Sequence, residues 1–229
     1  MSEAIGDTIA MSVETPAHLK KIGLLPPDTV EDDQLDVNFL YRQALHKVAL
    51  LPNTLMVDLF MWGVYNGSVP ESQWVQRWWQ LQKKYMGIAP PGGDPPPMSF
   101  DPASVYHIAH SYAYIHYLVA TVSEYQFYKA MCNASGHHGP LHRCDFDGSR
   151  EAGKLLGDLM QAGMTLPWPV AMERATGTAD FVADAMIEYY RPLQAFLEEA
   201  NRGECFGWGA EWPTSVQANL PQPRCGDTF

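Results

Sequence analysis

Positive charge is scarce in this chain. Fifteen Lys and Arg stand against 26 Asp and Glu, a formal net charge of −11 over 229 residues. An excess of that sign repels phosphate backbones, which excludes nucleic acid as a partner and makes an anionic membrane surface a poor one. Long apolar runs are missing too. None approaches the roughly 18–20 residues of a spanning helix, so no membrane-spanning segment is expected in this chain. The first twenty residues carry Glu3, Asp7 and Glu14 without a basic leading region, so no signal peptide is read there. Alternating apolar and polar residues of any length are absent, which argues against a sheet. Internal repeats and low-complexity tracts are absent as well.

The chain does have the material for a core. It is 46% hydrophobic and 12% aromatic, with seven Trp and eleven Tyr. That suits one sizeable domain or two small ones. Eighteen Pro and 18 Gly promise many breaks between elements. Ile5, Ile9 and Val13 recur four apart over 3–14 and predict a buried helix. Thr15-Pro16 opens a short helix that ends by Pro26-Pro27. A helix is expected from about Gln34 to Leu51, stopped by Pro52, and another from Asn53 to a turn at Asn66-Gly67. The next begins at Pro70 and carries Trp74, Trp78, Leu81 and Tyr85 on one stripe. The stretch "APPGGDPPPMSFDP" reads as a loop, a lid or surface crossing rather than a domain linker. From Pro102 one long helix is expected to run to Gly136. Helices follow from Ser149 as cap, through "PWPVAMERATG", and over 178–203 with Pro192 inside. The fold class is therefore all-α and irregular, with a patternless tail over 204–229.

Three groups of residues can carry chemistry. His107, His110, Tyr114 and Tyr117 fall within an arc of about 80° if one helix holds them. Two imidazoles and two phenols on one face can donate to a carbonyl, a carboxylate or an oxyanion, or they can be an aromatic core stripe with polar tips. His137, His138, His142 and Cys144 crowd one loop, as in a zinc site. The competing reading is a local disulfide from Cys132 to Cys144, which Gly139-Pro140 favours because it breaks the helix that His138 and His142 would share. Cys205 and Cys225 would then make a second bridge. Finally, Glu3 and Asp7 stand one helical turn apart. Two like charges there call for a cation, such as a metal held by Glu3 with Asp7 orienting a ligand imidazole, unless the helix start is simply solvated. Asn66-Gly67-Ser68 and Asn133-Ala134-Ser135 are N-glycosylation sequons.

Several stretches resemble the C-terminal part of the angiotensin-converting enzyme family, the M2 zinc peptidyl-dipeptidases. They include "EAIGDTIAMSVETPAHL", "NFLYRQALHKVALLP", "WWQLQKKYMGIAPP", "FDPASVYHI", "YQFYKAMCNASGHHGPLHRCD" and "SREAGKLLGDLMQAGMTLPWPVAM". They lie in family order over roughly residues 3–201. The resemblance implies an all-α, channelled helical metallopeptidase fold, with residues 1–203 as a partial domain. It implies zinc held by two His of His-Glu-x-x-His and by Glu3, with Asp7 supporting an imidazole ligand. It implies that His107 and Tyr117 hydrogen-bond substrate and oxyanion, that Tyr114 holds a substrate carboxylate, and that Cys132 pairs with Cys144. Peptides are the implied ligands, and an extracellular or membrane-ectodomain location is implied with them.

The departures from the family pattern are specific. No His-Glu pair occurs in this sequence. Ser2 stands where the family has His, Val105 where it has the carboxylate-binding Lys, and Gln82 and His116 where it has two chloride-binding Arg. The expectation is a C-terminal fragment, inactive alone, with weak or no zinc affinity and no chloride dependence, whose partner is the missing N-terminal half. The alternative is a non-catalytic relative that holds peptides or partners.

Overall fold

The computed structural model describes residues 1–90, 101–207 and 224–225. The side chains at 205, 206, 224 and 225, and with them the bridge expected between Cys205 and Cys225, lie outside the described residues. So does the Pro-rich loop over 91–100. The all-α class holds. Ten α-helices account for nearly all the regular structure among the described residues: α1 (Ser2–Val13), α2 (Pro16–Lys21), α3 (Asp33–Lys47), α4 (Leu50–Tyr65), α5 (Trp74–Met86), α6 (Tyr106–Ala109), α7 (Ile115–Ala134), α8 (Arg150–Ala162), α9 (Trp168–Thr176) and α10 (Asp184–Ala200). One departure is a minimal ladder in the tail: β1 (Cys205–Phe206) runs antiparallel to β2 (Arg224–Cys225), with Cys205 opposite Cys225 along the backbone. Two-residue strands are too short to leave an alternating pattern in the sequence. The chain divides into two compact units, Met1–Leu45 with Val119–Phe196, and His46–Leu118 with Leu197–Phe229.

In the first unit, α1 does not bury the stripe that its periodicity predicts. Ile9 and Val13 are exposed, while Ala4, Thr8, Met11 and Ser12 are buried. The small side chains win because Thr8 Oγ1 donates to Ala4 O at 2.7 Å and sits 3.1 Å from Glu124 O of α7, a close approach that Ile would block. Thr15 caps α2 by accepting from His18 N–H, and Ser149 caps α8 by accepting from Ala152 N–H, as their residue types predict. Ala4, Ala120, Phe127, Leu159, Ala171 and Met172 form the core. Beside it lies a buried phenol cluster. The Tyr125 and Tyr190 hydroxyls meet at 2.7 Å, and Tyr128 OH donates to Cys144 O. Burial holds all of these phenols protonated, far above the usual tyrosine range.

In the second unit, Pro52 does interrupt the helix, but upstream of itself. It occupies the first turn of α4, where a missing N–H costs little, while its ring disfavours the carbonyl of Val48. The break therefore falls at Val48–Ala49, and Leu51 N–H bonds Val48 O in a tighter turn. Taken together, Asp33–Tyr65 is a 33-residue helical stretch with mean hydropathy 1.4 in its most apolar window, long and apolar enough to cross a membrane by those measures. Polar residues are spaced through it, so no uninterrupted apolar run marks it in the sequence. Helix α4 packs on α5 through Met56, Val57, Phe60 and Met61 against Trp78 and Leu81, and Phe60 meets Trp78 edge-on at 5.4 Å. The predicted stripe on α5 is thus the packed face, with Trp74 and Tyr85 at its margins. Gly87 ends α5 with φ 67°, a left-handed conformation that side chains with a Cβ resist.

Candidate active site

The long helix expected from Pro102 does not form. It is divided into a 3-10 turn at Asp101–Ser104, the single turn α6, and α7. Between α6 and α7 the backbone runs without helix through Ser111, whose φ of 57° is the one left-handed non-glycine conformation among the described residues. Such strain persists only where surrounding contacts enforce it. Here the contacts are visible. Tyr112 N–H turns back to His107 O at 2.8 Å, and Val105, Ile108 and Tyr114 pack on the α4–α5 core.

A buried carboxylate completes the arrangement. Asp58 of α4 is 9% exposed, and its Oδ1 accepts from Ile115 N at 3.1 Å and from Tyr114 N at 3.4 Å. The first N–H groups of a helix lack partners within it and carry positive partial charge, so an acid from another helix caps α7 here. Sequence reasoning missed Asp58. The signal was a lone carboxylate within the apolar run "LMVDLFMW", where only a specific partner justifies burying it.

The break sets the geometry of the rings. His107 Nε2 lies 2.9 Å from Tyr117 OH. The Tyr114 ring stands edge-on to His107 at 4.9 Å and lies 5.2 Å from Tyr117. All three side chains are half-buried. His110 does not join them. Its ring stacks on exposed Tyr106 at 4.0 Å and its Nδ1 lies 3.0 Å from Tyr106 O, because the turn after α6 carries it off the shared face. Whichever tautomer His107 adopts, one X–H of the imidazole–phenol pair remains for a ligand. Burial, and then the neighbouring Tyr117, push the Tyr114 phenol above the usual range, so it too is a neutral donor at physiological pH.

Glu3 lies in the first turn of α1 and is exposed, beside exposed Ser2, while Asp7 one turn later is half-buried. Val105 packs on the α4–α5 core. Gln82 is half-buried with its Oε1 unpartnered among the described residues, and exposed His116 lies against the Tyr117 ring at 4.1 Å. Cys132 and Cys144 are disulfide-bonded. His142 instead turns its Nε2 to Asp36 at 2.9 Å, and the His137 ring meets Pro140 O, so the loop histidines do not converge on a metal.

Among the described residues one group has the spacing for a cation: His18, Asp145 and Asp147. Its carboxylates are already satisfied. Asp145 accepts from Ser12 Oγ and lies 3.2 Å from His18 Nδ1, and Asp147 pairs with the Lys21 ammonium at 2.5 Å. Glu3 belongs to no such group. One exposed carboxylate does not make the closed donor set that zinc takes, so the described residues by themselves do not fit that ion.

A predominantly helical chain with an imidazole–phenol donor pair set beside a capped helix start is the class that these observations define. Comparison gives the family. The angiotensin-converting enzyme family profile matches residues 1–208, and the chain belongs to that family. It is similar to angiotensin-converting enzyme of Bos taurus, 43% identical over 226 residues, and of Mesocricetus auratus, 42% identical over 231 residues, each match covering 98% of this chain. The Sus scrofa enzyme is 44% identical over 214 residues, or 90% of the chain. The chain spans 17% of the length of the first two relatives.

Proposed function

We propose that residues 1–203 supply part of a peptide-binding and peptide-cleaving site to an M2-type metallopeptidase domain, with 204–229 as an appended tail. The observation that carries this reading is the 2.9 Å pairing of His107 with Tyr117, held with Tyr114 by the break that Asp58 caps. In this reading His107 and Tyr117 hydrogen-bond the backbone of a bound peptide, the X–H that their pairing leaves free going to the carbonyl oxygen, where negative charge develops as the bond is attacked, and Tyr114 donates to the peptide's terminal carboxylate. Glu3 supplies one zinc ligand and Asp7 orients an imidazole, within a domain that also provides a His-Glu-x-x-His stretch. Because Val105 offers no cation, recognition of the terminal carboxylate is weak. Gln82 and His116 make the site indifferent to chloride. The 229-residue chain alone does not cleave peptides. The reading places the protein outside the cell or on its surface.

Two measurements test this. Sequencing the transcript upstream of Met1 should show the His-Glu-x-x-His codons in frame. The polypeptide that it encodes should release a C-terminal dipeptide from a reporter peptide in a zinc-dependent manner. There, Y117F should lower kcat by roughly 10²–10³-fold while lowering the melting temperature only slightly. An in-frame upstream sequence lacking the motif, or full activity in Y117F, overturns the proposal.

A further inference from the structure

The two sequons differ sharply in local structure. Asn66 ends α4 as its exposed C-cap, and its Oδ1 accepts the Ser68 N–H at 2.9 Å. This is an Asx turn, closed within the sequon itself. Gly67, at φ 74°, permits it, and both Gly67 and Ser68 are exposed. The turn engages Oδ1 and not the amide nitrogen. Asn133 is also exposed, but it lies in the last turn of α7. Both sequon hydroxyls bond a carbonyl, Ser68 Oγ to Gly63 O at 3.3 Å and Ser135 Oγ to Cys132 O at 2.8 Å, but the Ser135 N–H that an Asx turn would use is committed to Met131 O at 2.9 Å. No Asx turn can form there without undoing the helix end. Cys132, the preceding residue, is fully buried and tied to Cys144. That disulfide also argues for an oxidising compartment, such as the one where sequons are modified.

We infer that Asn66 is the glycosylated asparagine of this chain and that Asn133 is not. In the transfer, Asn66 Nδ2 attacks the anomeric carbon of an oligosaccharide carried on a lipid diphosphate. The C–N bond forms as the C–O bond to diphosphate breaks. The diphosphate leaves with the electron pair, and one amide proton passes to a base of the transferring enzyme. The consequence is local. Tyr65 and Trp62 of α4 are 56% and 61% exposed, and a cavity of about 1080 Å³ opens in the same unit between Val64, Tyr65, Pro70 and Trp74. Asn66 adjoins that mouth in sequence, so a glycan there covers apolar surface that would otherwise promote association.

The full chain, routed into the secretory pathway of a eukaryotic cell behind a cleavable leader, provides the test. Enzymatic deglycosylation in heavy-oxygen water marks each used asparagine, and mass spectrometry reads the mark on chains from the medium and from the endoplasmic reticulum alike. One mark at Asn66 is expected, lost in N66Q and in S68A and kept in N133Q. The unglycosylated S68A chain should also self-associate at lower concentration than the parent. Chains whose leader has been removed but that carry no mark at Asn66 overturn the inference. So does occupancy at Asn133 equal to or above that at Asn66.

Discussion

Two histidines, one in each unit, show how the same side chain is put to opposite uses. His142 of the first unit is 2% exposed, and its Nε2 faces Asp36, a carboxylate that also takes Nε and Nη2 of Arg143. Its neighbours leave no room for a ligand. His107 of the second unit is half-buried, its partner is a phenol, and the pair keeps a proton to offer. A histidine locked to a buried acid is a structural joint. A histidine paired with a neutral donor at a strained turn is poised to bind. The distinction lies in burial and in the partner's charge, and both residues look alike in the sequence.

The comparison can be broken most forcefully at Asp36. Asp36→Ala leaves Arg143 and His142 without their acceptor and should cost roughly 3–5 kcal/mol in urea unfolding. Burial pushes the Asp36 carboxyl up, but the hydrogen bonds and charges of Arg143 and His142 outweigh it and hold it below the usual range. A depressed carboxyl contributes stability that is fully present above its unfolded value, about 3.9, and is lost as pH falls through the lower folded value. The parent should therefore lose stability below about pH 4. Asp36→Ala should lose less there; an identical acid limb in both would show that Asp36 is not the group responsible.

Next in size is the loop that carries His142. Replacing Cys132 and Cys144 with Ser opens a bridge across a sequence separation of 12 and should cost about 2–3 kcal/mol. Thermal melts of oxidised and reduced parent should differ by the same amount, and no difference would remove the disulfide from the account of this unit. In the second unit, Asp58→Ala uncaps α7 and should cost about 1–2 kcal/mol. Its sharper readout is the His107 ring, whose NMR resonances should lose the coupling to Tyr117. If they keep it, the break is held by packing alone. The smallest effect belongs to Tyr117→Phe, about 0.5–1 kcal/mol, because a half-exposed hydroxyl has water as an alternative partner. A loss as large as that of Asp36→Ala would mean that His107 is also a structural joint.

Much of this arrangement is legible in the sequence, and the rest fails for identifiable reasons. The helix starts at Thr15 and Ser149 and the stop at Gly87 follow from groups within one turn of each other. In α1 the spacing of Ile5, Ile9 and Val13 points to a buried stripe of which only Ile5 packs on the core. The structure instead selects Ala4 and Thr8, which allow α7 to approach. One continuous helix would group His110 with His107, and the turn at Ser111 removes that helix.

What the sequence determined unaided was the helical class, the family, and the identity of the residues able to donate, ligate or cross-link, since periodicity, caps and motif order are local properties. What only the tertiary structure decided was which of those residues meet. Asp58 reaches a helix start 57 positions away, and no local pattern records that contact. Without it, the unpaired N–H groups of α7 would have nothing to fix where Tyr114 and Tyr117 stand beside His107.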